Sequence, residues 1–108
     1  MNIPINFNFF LLAKSEKAKE KVINKITDLL VDKVDRSVVH VDECNFVINI
    51  EYKSWELLVY RALQICQLIG GQWVLTGNVN FEFNAWSNHA KIIGIESIGI
   101  TIDNPIVT

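Results

Sequence analysis

The sequence predicts an α+β domain, an antiparallel or mixed sheet with two helices on one face, in the order β-α-β-β-α-β-β. Three observations predict it. Near the start, Ile3, Ile5, Phe7, Phe9 and Leu11 alternate with Pro4, Asn6 and Asn8, the period-two signature of a strand. Two later stretches repeat apolar residues at helical spacing, each behind a serine. Alternation then returns in segments 37–52 and 72–103.

Taken in order, the first strand carries Pro4, which cannot donate a ladder hydrogen bond and so belongs at the strand's start or on an edge. Ser15 is placed to cap the first helix. Ala18, Val22, Ile26, Leu29 and Leu30 form its buried stripe, flanked by Ile23 and Val34, and the remaining positions are charged. Residues 37–42 and 46–52 read as two strands joined by Glu43-Cys44-Asn45 in a hairpin. Ser54 caps the second helix, which is apolar nearly all round. That helix is central in the core or shows an apolar strip to a partner. Gly70-Gly71 is expected to end it with a left-handed residue.

From Trp73 on, Leu75, Val79, Phe81 and Phe83 keep one parity across Gly77, and Thr76, Asn78, Asn80, Glu82 and Asn84 keep the other. Gly77-Asn78 is either a tight hairpin turn or a kink in one long strand, and the unbroken parity favours the bent strand. On that reading the Val79, Phe81, Phe83 stripe is core. Residues 85–94 are the expected loop, holding Trp86, and Ile98, Ile100 and Ile102 mark the last strand. A ferredoxin-like arrangement with an extra C-terminal strand would bury these stripes.

The chain of 108 residues is one domain; it is 50% hydrophobic and 20% charged, a globular balance and not that of a disordered segment. The first residues lack the basic start of a secretory signal, and the longest apolar run, 57–70, is broken by Arg61, Gln64 and Gln67, so a cytoplasmic protein without a membrane span is expected. Residues 1–36 hold seven Lys or Arg against five acids, whereas residues 37–108 hold three against seven. The acidic remainder argues against nucleic acid as a ligand and favours a basic partner.

No constellation spells out catalysis, and no enzyme activity or cofactor is expected. His40, Asp42 and Cys44, at i, i+2 and i+4, are competent metal ligands in type, but a second ligand pair such as CxxC is missing, so a polar strand end is the better reading. Cys44 stands beside Asp42 and Glu43, which oppose a thiolate. The two cysteines, Cys44 and Cys66, read as free thiols. The glycines form no phosphate loop.

Trp73-Val74-Leu75-Thr76-Gly77, the alternating strand after it, the polar loop, and Gly94-Ile95-Glu96-Ser97-Ile98 resemble small cytoplasmic immunity proteins of bacterial toxin–immunity systems, including those of contact-dependent growth inhibition. The resemblance covers residues 72–102 and implies a one-to-one complex with a toxin domain, often a nuclease. The residues themselves agree in small size, lack of an evident active site and acidic surface. The expected partner surface is Asp42, Glu43, Glu51, Glu82 and Trp86, joined into one patch if the strands bearing Glu51 and Glu82 are neighbours. Self-association through the second helix, and a small ligand- or metal-binding domain, are the alternatives.

Overall fold

The computed structural model describes residues 2–33, 39–40 and 45–104. Strand β1 (Asn2–Leu11) leads to helix α1 (Glu16–Lys33), then β2 (Val39–His40), β3 (Asn45–Glu51) and helix α2 (Trp55–Ile69). Five further strands follow: β4 (Gly70–Gly71), β5 (Val74–Leu75), β6 (Glu82–Ser87), β7 (His89–Ala90) and β8 (Ile95–Asp103). Six of the strands form one sheet in the order β2-β3-β1-β8-β6-β5, each neighbouring pair antiparallel; β4 and β7 pair separately.

Both helices lie over one face of this sheet. Ile3, Ile5, Phe7 and Phe9 of β1 share a core with Phe46 and Ile48 of β3, Phe83 and Ala85 of β6, and Ile98, Ile100 and Ile102 of β8. Into that core α1 sets Val22, Ile26 and Leu30, and α2 sets Leu58, Ala62, Ile65 and Ile69. Residues directly opposite in an antiparallel pair point to the same side, so the register Phe7↔Ile100, Phe9↔Ile98 and Phe83↔Ile102 stacks the apolar parity into one layer. Phe46 meets Phe9 edge-on, with ring centroids 5.5 Å apart.

The two serine caps form as the sequence predicts. Ser15 Oγ accepts from the Ala18 amide at 3.2 Å and Ser54 Oγ from the Leu57 amide at 3.3 Å. Pro4 sits near the start of β1, before the ladder to β8 begins at Asn6, where a missing N–H is tolerated.

Three expectations are corrected. Gly70 does not supply a left-handed residue: its φ is −164°, and it pairs with Ala90 as part of β4. The carbonyls at the end of α2 are met instead by the Gly70 amide and the Trp73 indole, both donating to Cys66, and by Lys91, whose amide donates to Ile69 and whose Nζ donates to Gln67. A cation at that end also suits the helix dipole. Gly77, at φ 74°, turns the chain, so segment 74–87 is a hairpin and not one bent strand, with Val74↔Trp86 and Leu75↔Ala85 paired. Finally, the expected loop 85–94 contains the end of β6 and all of β7, and the additional strands β5 and β6 precede the terminal strand instead of following it.

Candidate functional site

The face of the sheet away from the helices is exposed or half-buried at its described positions, and its composition follows from strand parity. Outward positions are Asn2, Pro4, Asn6, Asn8 and Phe10 on β1, Val47, Asn49 and Glu51 on β3, Thr101 and Asp103 on β8, and Glu82, Asn84 and Trp86 on β6. Asn8 donates to Asn45 across the β1–β3 pair at 3.0 Å, so the amides link neighbouring strands. No outward strand position named here carries Lys or Arg. The charges are Glu51, Glu82 and Asp103.

Register separates these acids. Glu82 stands directly opposite Asp103, whereas Glu51 stands opposite Asn2 at the far side of β1. Strands β1 and β8 lie between β3 and β6, which puts Glu51 and Glu82 roughly 14 Å apart across the sheet and ~7 Å along it. That exceeds the ~8 Å screening length at physiological salt. The expected single patch of Glu51 and Glu82 is therefore two acidic spots on one face. Asp103, not singled out from the sequence, is the nearer partner of Glu82. Its parity after Ile98, Ile100 and Ile102 was a usable signal; its pairing with β6 was not. Asp42 and Glu43, and Cys44 with them, lie outside the described residues, as does the side chain of His40.

Trp86 lies on β6, not in a loop, and is 45% exposed beside Val74. Val79 and Phe81, expected in the core, are exposed. The hairpin explains them: they occupy the connection between β5 and β6, beside the start of α2, with their side chains turned to solvent. That connection is held firmly. The Trp55 indole donates to the Val79 carbonyl at 2.6 Å, Asn104 Nδ2 to Asn80 at 3.0 Å, and the Asn104 amide to Phe81 at 3.1 Å. Trp55, the first residue of α2, is itself buried, and Trp73 is half-buried against the core.

Elsewhere, α2 turns Leu57, Tyr60, Leu63 and Leu68 outward, so the nearly all-round apolar helix is buried on one side and shows a strip on the other. A cleft of about 360 Å³ lies where β3 meets α2, lined by Glu51, Lys53, Ser54, Arg61 and the apolar Ile50, Leu57 and Leu58. Charges of both signs line it, so it makes no single-sign site. Among the described residues no group of three His, Cys, Asp or Glu is placed to hold a metal ion, and no helix is long and apolar enough to cross a membrane. Burial pushes the Cys66 thiol from 9.0 up to about 12, against a smaller lowering by a backbone hydrogen bond; such a thiol is no nucleophile at neutral pH.

Comparison with family models, with curated proteins and with solved structures finds no match to this chain.

Proposed function

We propose that this chain is an immunity-type binding protein that neutralises a basic toxin domain, of nuclease type, by covering it with the open face of its sheet. The observation that carries the reading is the outward face itself: amides, acids and Trp86, with no Lys or Arg among its strand positions. Such a surface steers and holds a basic protein and repels phosphate backbones. Glu82 with Asp103 supplies the charge near Trp86, and Trp86 the desolvated anchor that surface charges lack. The fold reading that accompanies it is a ferredoxin-like arrangement widened on one edge. The order β2-β3-β1-β8 supports it, with α1 joining β1 to β2 and α2 following β3.

The test is co-expression with the polypeptide encoded beside this gene. Protection from that polypeptide is expected, and a Glu82→Lys, Asp103→Lys variant is expected to weaken the complex by roughly 2–5 kcal/mol where the pair is buried in it. A neighbour that is not toxic, or is toxic and not inhibited, refutes the reading. Self-association has one observation in its favour, the exposed strip of α2; a strict monomer by light scattering at high concentration removes it.

A further inference from the structure

We propose that β5 is a docking edge, which takes an extended segment of a basic partner protein as an added strand. The inference rests on the reading of this chain as a binder of a basic protein, and says how that partner is held. Among the described residues, β5 is the last strand of the sheet on its side. The Thr76 amide donates inward to Asn84 at 2.9 Å. Alternate residues of a strand turn both backbone groups to the same side, so the N–H and C=O of Leu75 point away from β6.

Natural sheet edges are blocked by shortness, Lys, Pro, bulges or a covering element, and β5 at two residues is short. β5 has none of the side-chain devices. No Lys, Arg or Pro occurs in residues 62–90, and Val74 and Leu75 are 45% and 51% exposed. The edge is also preorganised. Its connection to β6 is tied by Trp55, Asn78 and Asn104, the Asn78 carbonyl accepting from the Phe81 amide at 2.9 Å and the Glu82 amide at 3.0 Å. A strand added there gains backbone hydrogen bonds without first having to order the loop.

Charge selects the occupant. A side chain at Gly77 would run into the Glu82 carboxylate, so that carboxylate overlies the end of β5, with Asp103 in the next strand. The segment that fits has an apolar residue level with Val74 and Trp86 and, two residues on and on the same face, a Lys or Arg level with Thr76, beside the Glu82 carboxylate. A second copy of this hairpin would bring no cation for Glu82.

The experiment titrates the full chain with a synthetic peptide of alternating Val and Thr bearing Lys at both ends, and with a twin N-methylated at every central amide. The plain peptide is expected to bind and to slow hydrogen exchange of the Leu75 amide. The twin, and the plain peptide on Leu75→Pro or Val74→Lys variants, are expected to bind ~10-fold or more weakly. A proline is tolerated on an edge where its nitrogen faces solvent, so that variant removes the outward donor in a folded protein, and the twin tests the pairing without altering the protein at all. Equal binding of the twin, or no binding of the plain peptide up to ~1 mM, overturns the inference. So does a dimer that Val74→Lys disperses, which would give the edge to a second copy. These outcomes leave the co-expression result to stand or fall alone.

Discussion

Ser87→Ala is the sharpest test of how the separate β4–β7 pair is fastened to the main sheet. Ser87 is the buried polar residue at the end of β6, fully shielded from solvent. Its hydroxyl donates to the Gly71 carbonyl and accepts from the His89 amide at 3.0 Å, so one side chain joins β6 to both strands of the small ladder. Alanine fills nearly the same space and removes both bonds. Two fully buried orphaned groups would cost roughly 2–6 kcal/mol together. Gly71 is only half-buried and His89 is exposed, so water recovers part of this, and the expected loss is about 1–3 kcal/mol. For a domain of this size that is a drop in Tm of roughly 5–15 °C. The assay is urea unfolding with the slope held constant, beside a Thr101→Ala control on the outward face, which is expected within ~0.5 kcal/mol of the parent. Equal stability of the two variants would refute the argument, because it would mean that the hydroxyl holds nothing.

Two further predictions concern the core. Gly94 has φ 101° and a Cβ there would lie 2.6 Å from Val22 Cγ2; Gly94→Ala is expected to cost roughly 2–4 kcal/mol from backbone strain and overpacking, and a double-mutant cycle with Val22→Ala is expected to show favourable coupling as the clash is relieved. Cys66 is expected to resist iodoacetamide at pH 8 in the folded chain and to react once unfolded, read by peptide mass. Because its proton is lost near 9.0 when unfolded and near 12 when folded, the stability linked to it is complete below pH 9 and falls as pH rises toward 12. Urea midpoints of the parent and of Cys66→Ala, compared at pH 8 and pH 10, check that slope.

What was legible in the sequence was whatever depends on near neighbours. Serine caps act over three residues, and strand parity over two, so α1, α2, β1, β3 and β8 could be read from the chain, together with the core parity of Phe7, Phe46 and Ile100. What failed depended on distant pairing. Parity cannot distinguish a bent strand from a hairpin whose turn preserves it, and Gly77 is such a turn; Val79 and Phe81 kept the core parity while leaving the core. Glu51 and Glu82 each faced outward as predicted, but whether they are neighbours is a property of strand order, which places two strands between them. Gly70 ends the helix as read, but it is extended and not left-handed because β7 pairs with it, and the positive φ after the helix falls on Gln72.

The position of the hairpin at the edge of the sheet accounts for its exposed side chains and bears on the proposed docking edge. The helices leave β5 partly uncovered at its edge of the sheet. Leu75 has the core parity, as its partner Ala85 shows by being buried, yet is itself half exposed. A chain could have dealt with this overhang cheaply, with a lysine at residue 75 or a shorter hairpin. Instead it places Val74, Leu75, Val79, Phe81 and Trp86 around the overhang, and fixes the backbone beneath them with an indole, two asparagines and a turn glycine. The Val79 carbonyl satisfies the buried Trp55 indole in the monomer, but the exposed apolar side chains of the connection add no burial. A backbone fixed in this way lowers the ordering cost of binding, which supports the proposed docking at the hairpin edge over the charged outer face of α1.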